Sequence, residues 1–307
     1  MAVQAKTQGS GWKNDGVLAW VFSAPAIILL LVFLIIPFFM AIGLAFTNQP
    51  LVPNLNLPTQ FVGLRNFVNL FGDATFHKAL TNNFLFALVV VPLQTSLALL
   101  LAVLVNQNLR FIKVFRTIYF TPVTITMVVV SVIWLLLYDA SPEGAINNVV
   151  HIMTFGAVDA QNWLGNKLLV WPAIMLLSIW QGVGFQMVIY LAGLQSIPVE
   201  LYEAAQVDGA NALQQFFGIT IPQLRNTTIF IVISTTIFAF GLFTQVMIMT
   251  TGGPGDATNT TIFYAFMQGF RQGKIGYGSA ITVIYFLIVL CISLTQRFFM
   301  REERAVE

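Results

Sequence analysis

Few residues of this 307-residue chain could do covalent chemistry, and none of them stand together. His77 and His151 lie far apart, with no acids or thiols at ligand spacing, so no metal site is expected. Asp139, Glu143 and Asp159 are too scattered for paired acid–base work. The one cysteine, Cys291, sits in an apolar run and reads as a small buried hydrophobe. The informative spacings are non-covalent. Ser178, Gln181, Gly182 and Phe185 fall at i, i+3, i+4 and i+7 and share one helical face inside an otherwise apolar stretch. Amides and hydroxyls are too costly to leave against hydrocarbon, so this face must look into a bundle or a wet cavity. Helix-to-helix packing and the binding of a sugar by ring stacking and hydroxyl contacts explain it equally well. Ser234-Thr235-Thr236, Phe238, Leu242 and Gln245 repeat the theme further along.

A second constellation is a polar island from Ile197 to Pro222. Pro198 suits a first helical position, and Glu200 and Glu203 fall one turn apart near the positive end of that helix. Gly209 supplies a positive φ to end it, Asn211 caps the next helix, and Gly218 is expected to close that one. The product is a compact helical elbow at 198–222, with acids on one face and aromatics on another, suited to docking.

The elements that must position these residues are membrane spans. The chain is 57% hydrophobic and 8% charged, against roughly 25% charged in soluble proteins. Stretches free of Asp, Glu, Lys and Arg cover 16–64, 79–109, 117–138, 168–199, 226–255 and 275–296. Each is long enough for the about 20 residues of a bilayer crossing. The expected fold is an all-α integral membrane protein with six spans, at about 17–46, 80–105, 114–138, 169–194, 228–250 and 276–299. With six spans, both termini and the 2–3 and 4–5 loops share one side. That side carries Lys6, Lys13, Arg110, Lys113, Arg116, Arg225, Arg297, Arg301 and Arg304, and the other carries Arg65, Lys78, Lys167, Arg271 and Lys274. The richer side is cytoplasmic, which puts the elbow in the cytoplasm. A net charge of +2 with no basic face gives nucleic acid no footing.

Taken in order, residues 1–16 read as a disordered cytoplasmic N-terminus, 17–300 as one six-span membrane domain and 301–307 as a cytoplasmic tail. Span one is read as uncleaved, and Pro37 should kink it. Leu64, Phe67, Val68 and Phe71 suggest a short amphipathic helix on the outer surface. Asn82-Asn83 opens span two, and Arg110, Lys113 and Arg116 form an inner cluster suited to lipid headgroups. Residues 256–278 form an outer loop with a lateral or re-entrant helix around Ile262–Phe270.

Glu203-Ala204-Ala205, then Asp208-Gly209-Ala210, then Ile219-Thr220-Ile221-Pro222 resemble the "EAA" loop of ABC importer permease subunits, in the variant of the maltose and glycerol-phosphate type sugar permeases. Gly63-Leu64 with Asn66-Phe67, Phe115-Arg116-Thr117 with Pro122, and Thr250-Thr251-Gly252-Gly253-Pro254 resemble the family too, so the likeness covers roughly 60–296. It implies the type I importer permease fold with cytoplasmic N and C termini, in a bacterial or archaeal cytoplasmic membrane. It also implies that Glu200, Glu203, Ala204, Ala205, Asp208, Gly209 and Pro222 couple the chain to an ATPase subunit. By the same resemblance, Ser178, Gln181, Gly182, Phe185, Thr235, Ala239 and Leu242 line the sugar path, with Phe238 beside them. Ala239 and Leu242 stand where the maltose permease carries amides, which points to a different or more loosely held sugar. The partners implied are a second, homologous permease, two ATPase subunits that bind ATP and Mg, an extracytoplasmic sugar-binding protein and membrane lipid. No cofactor is expected in this chain. An ion-coupled secondary transporter is the rival, but its usual intramembrane ionisable residues are missing from the middle of all six spans, Arg116 and Arg297 standing only at span ends. A membrane enzyme fails for want of a nucleophile, base or metal constellation.

Overall fold

A computed structural model describes residues 12–52, 58–107 and 110–300. Among them the chain is helical, and its only β feature is one antiparallel bridge between Thr47 and Phe61. Four unbroken helices are long and apolar enough to cross a membrane, and two bent pairs raise the number to six if each pair is one crossing.

The first span comprises α1 (Trp12–Leu30), a π-helical turn (Leu31–Ile35) and α2 (Ile36–Ala45). The stretch read as disordered is thus helical from Trp12, and residues 1–11 lie outside the described residues. Pro37 does not break the span. The wide turn before it, in which the Ile36 N–H bonds to the Leu31 carbonyl five residues back, makes room for the ring. The most apolar window of this helix buries nothing against the rest of the chain. Helix α2 packs on the last helix of the chain, where Phe38 meets Phe286. The short α3 (Arg65–Phe71) turns inward a different face from the expected one: Asn66, Phe67 and Leu70 are buried while Leu64, Val68 and Phe71 are exposed. Asn66 decides this, because its Nδ2 donates to the carbonyls of Ala45 and Thr47, each at 2.8 Å, and so closes the end of α2.

Helix α4 (Ala74–Val105) starts before the expected residue 80 because Asp73 caps it, its Oδ1 accepting from the N–H groups of Thr75 (2.9 Å) and Phe76 (3.2 Å). The expected third span is two helices, α5 (Ile112–Thr124) and α6 (Met127–Leu137), bent by 99°. Ile125 and Thr126 are extended between them. Pro122 followed by four β-branched residues cannot hold a continuous helical ladder there. Next come α7 (Ala145–Met153) and α8 (Val170–Gln195), which coincides with the expected fourth span.

The elbow is α9 (Val199–Val207), α10 (Ala212–Gln215), a π-helical turn (Phe216–Thr220) and α11 (Ile221–Gln223), and it leads at a 65° bend into α12 (Arg225–Phe240). The expected fifth span, 228–250, is interrupted after Phe240 and resumes as a π-helical turn at Val246–Thr250. Its free backbone groups are satisfied from afar. Asn83 of α4 donates to the Phe240 carbonyl (3.0 Å) and accepts from the Thr261 N–H (2.8 Å), and the Thr260 hydroxyl donates to the Leu242 carbonyl (2.8 Å). The outer loop then carries α13 (Thr261–Phe266) with a π-helical turn to Arg271, and α14 (Ile275–Phe299) closes the chain against α2 and α13. Arg297 falls in the last turn of α14. Lys6, Arg301, Arg304 and the 301–307 tail lie outside the described residues.

Asn83 is fully buried, so Asn83→Leu leaves a carbonyl and an N–H unpaired inside the bundle. At about 1–3 kcal/mol each, this should cost about 2–6 kcal/mol. The melting temperature of the purified transporter should fall by roughly 5–10 °C. A melt unchanged from wild type would mean that water or the break itself satisfies those groups.

The core runs along α4 and α8, which are parallel: Phe86 and Val90 pack with Val170 and Ile174, and one end lower Ala98 and Ala102 pack with Met187, Tyr190 and Leu194. The elbow therefore lies at the end of the bundle where α4 finishes, and Asp73 lies at the other. Helix α5 crosses α8 at Gly184, where a Cβ would stand 2.0 Å from the Tyr119 carbonyl oxygen.

Candidate functional site

A cavity of about 470 Å³ opens midway along the bundle, walled by α4, α8, α12 and the unwound stretch after α12, with Val123 and Met127 from either side of the α5–α6 bend. All eight residues singled out in the sequence for a substrate path line it: Ser178, Gln181, Gly182, Phe185, Thr235, Phe238, Ala239 and Leu242. They meet because the four from α8 sit on one face, and the four from α12 and its break approach that face from across the gap.

The two explanations left open for the polar stripe divide between its members. Ser178 and Thr235 hold helices together. Gln245 Nε2 donates to the Ser178 hydroxyl (3.4 Å), and Gln186 Nε2 donates to the Thr235 hydroxyl (2.5 Å), tying α8 to the fifth span twice. Both hydroxyls also donate back to the carbonyl four residues earlier, Ser178 to Ile174 and Thr235 to Ile231. The Gln181 side chain, by contrast, makes no hydrogen bond within the described residues. Phe185 and Phe238 are 42% and 72% exposed, at the rim. The cavity thus offers the Gln181 amide and two aromatic faces for a ligand, while the Ser178 and Thr235 hydroxyls are committed to helix contacts.

Sequence spacing missed three more lining residues that matter, namely Gln94, Gln186 and Thr244, while Gln245, already noted in the polar theme of the fifth span, lines the cavity too. Gln94 comes from α4, and its Nε2 lies against Gly182, where a Cβ would meet it at 2.4 Å. A glutamine in a charge-free span is the signal that could have found it. Gln186 is buried, and its Oε1 has no partner. No ionisable side chain lines the cavity. A net charge on the ligand would find no counterion there, whereas hydroxyls would find amide donors and acceptors.

The elbow presents a different surface. Pro198 stands one position earlier than expected, as the residue before the first turn of α9, with ψ 130°. Gly209 takes φ +79° and lets the Ala210 N–H return to the Ala205 carbonyl at 2.8 Å. Asn211 and Gln214 cap α10 reciprocally, Asn211 Oδ1 accepting from the Gln214 N–H (3.0 Å) and Gln214 Oε1 from the Asn211 N–H (2.8 Å). Gly218 does not close the second helix. It lies inside the π-helical turn and the helix runs on through Pro222, which tolerates the first turn of α11 because it has no N–H to leave unpaired. The Tyr202 and Thr220 hydroxyls meet at 2.9 Å and hold α9 against that turn. Glu200, Glu203, Ala204, Asp208, Gly209 and Pro222 are exposed and Ala205 is half-buried. Val207 is 88% exposed and Leu213 70%. Carboxylates beside bare apolar side chains on a capped, rigid elbow make a surface that another protein would cover.

Residues 94–304 match the family described as binding-protein-dependent transport system inner membrane component. Over 292 residues the chain is 34% identical to the probable ABC transporter permease protein YurN of Bacillus subtilis (strain 168), covering 94% of this chain and 98% of that protein. It is 33% identical over 285 residues to the trehalose/maltose transport system permease protein MalF of Thermococcus litoralis, covering 92% of each. Among solved structures it superposes with TM-score 0.80 on a chain of a bacterial alginate ABC transporter in complex with alginate pentasaccharide-bound periplasmic protein. That chain is 24% identical, with 94% of this chain and 96% of that one covered.

Proposed function

The chain belongs to the binding-protein-dependent transport system inner membrane component family, and from that premise we propose that it is one of the permease subunits of an ATP-driven importer of carbohydrate. The observation that carries the reading is the uncharged mid-bundle cavity of about 470 Å³ in which Gln181 and the rings of Phe185 and Phe238 are available to a ligand. Aromatic faces take the C–H side of a sugar ring and amides take its hydroxyls. The relatives named for trehalose and maltose, and the complex named for alginate, support the same class of cargo.

Two partner ATPase subunits would bind ATP and Mg and close on each other. Their movement would reach the bundle through the 198–222 elbow, where Glu200, Glu203, Ala204, Ala205, Asp208, Gly209 and Pro222 form the contact. The interrupted fifth span and the bent third span border the cavity, and breaks of this kind let one side of a site rock against the other. The bare apolar surface of α1 supports a second permease packed beside this one. An extracytoplasmic sugar-binding protein, as in the alginate complex, would deliver the cargo from the end opposite the elbow.

Replacing Gln181 with Ala tests the lining role. One amide hydrogen bond to a hydroxyl is worth about 1 kcal/mol, so the sugar concentration giving half-maximal uptake should rise about fivefold with the maximal rate little changed. An unaltered concentration dependence would remove Gln181 from the path.

A further inference from the structure

At the end of the bundle opposite the elbow, residues 48–50, α3, the start of α4, α13 and the start of α14 enclose a second cavity, of about 480 Å³. Asp73 is its hub. Besides capping α4 through Oδ1, it accepts at Oδ2 from the hydroxyls of Tyr264 (2.5 Å) and Tyr277 (2.7 Å). Burial alone would raise this carboxyl, but the hydroxyls of Tyr264 and Tyr277 and the N–H groups of Phe76 and Thr75 outweigh it and hold the group below the usual carboxylate range. A carboxylate with four donors has no lone pair calling for a bound cation. Lys274 stands in the same wall, so the two formal charges of the site cancel.

What the wall leaves unused is polar and neutral apart from that lysine. Gln268 is 7% exposed, and its Oε1 has no hydrogen-bond partner. The Asn69 amide makes no hydrogen bond within the described residues and is exposed. An orphaned buried amide oxygen is an acceptor that a ligand hydroxyl would satisfy. The rings of Tyr264 and Tyr277 supply apolar faces beside it. Amide acceptors and donors, an ammonium donor and two aromatic rings around a volume of this size, with no net charge, suit a neutral polyhydroxylated ring.

We propose that this cavity is a second binding site for a neutral carbohydrate, separate from the mid-bundle cavity and at the opposite end from the elbow. The proposal rests on the carbohydrate-importer reading. A sugar held here would be kept at the mouth of the protein ahead of the mid-bundle cavity.

The test is equilibrium dialysis of radiolabelled trehalose, maltose and lactose against the assembled transporter in lipid nanodiscs, without the external binding protein. The double variant Asn69→Leu/Lys274→Met alters two exposed side chains of the wall and leaves the Asp73 clamp intact. It should weaken one class of bound sugar by at least about fivefold, one lost hydrogen bond, while the class sensitive to Gln181→Ala persists. Binding that depends on Gln181 but is unchanged in the double variant overturns this second site and leaves the importer reading standing. If none of the three sugars binds wild-type protein, the second site is overturned, and the importer reading is decided separately by uptake of labelled carbohydrate in cells.

Discussion

Glu203→Lys should abolish carbohydrate uptake while the protein still reaches the membrane. Glu203 is exposed on α9, a helix fixed at both ends by the Pro198 start and the Gly209 turn and braced by Tyr202 against Thr220. On the proposed coupling surface its carboxylate pairs with a basic group of the ATPase. Reversing the charge replaces an attraction with a repulsion and leaves the partner's cation unpaired in a covered interface. Losses of that kind run to about 2–5 kcal/mol, so uptake should fall by at least about 30-fold. The ATPase should no longer co-purify, while the amount of permease in the membrane, read by immunoblot, should match wild type. Glu203→Gln keeps the shape without the charge and should retain a measurable part of both. Normal uptake in the lysine variant would take the elbow out of the coupling path.

Gly184→Leu should prevent assembly of a working transporter, and Gly184→Ala should already impair it. A Cβ at this position would lie 2.0 Å from the Tyr119 carbonyl oxygen, 2.9 Å from its carbon and 3.2 Å from the Phe120 Cα. All three are backbone, so nothing can swing aside and α5 must move off α8. Overpacking of this kind costs about 1–3 kcal/mol or more even for small increments. The displaced helix also carries Val123 into the cavity wall. Uptake should drop at least about fivefold for the alanine variant, with a lower melting temperature. The contrast is Gly182→Ala, two residues earlier. There the nearest atom, at 2.4 Å, is the amide tip of Gln94, which can rotate away. That variant should stay assembled and change only how sugar is held. If both alanine variants behaved alike, close approach of α5 to α8 would not be the constraint.

How much of this could be read from residues alone varied with the range of the interaction responsible. The spans were legible because bilayer-crossing segments exclude ionisable groups, and the polar stripe was legible because helical spacing is local. Asp73 before α4 and the Asn211–Gln214 box before α10 are equally local devices. The interruption after Phe240 was not legible. Gly241 alone tolerates a break but does not require one. The break exists because Asn83 and Thr260, distant in sequence, offer partners to the backbone groups it frees. Asn82-Asn83 stood out only as polar residues at the head of a span. Gln94 was overlooked because its role depends on how α4 is rotated against α8, which no spacing within α4 reveals. Gly218 misled because a glycine can end a helix, yet here the helix widens into a π turn and continues.

By itself, the sequence determined that this is a multi-span helical membrane protein of the binding-protein-dependent transporter family, with a rigid polar elbow between its fourth and fifth spans. The spans and the elbow rest on charge exclusion, periodicity and capping, all of which act within a few residues, and the family rests on the motif from Glu203 to Pro222 and the match over residues 94–304. Only the tertiary structure decided that the α8 and α12 stripes face one cavity, that Ser178 and Thr235 spend their hydroxyls on helix contacts while Gln181 does not, and that Asp73 gathers Tyr264 and Tyr277 at the far end. Each of those depends on which helix faces are buried against each other, and that is settled by packing across more than a hundred residues of chain.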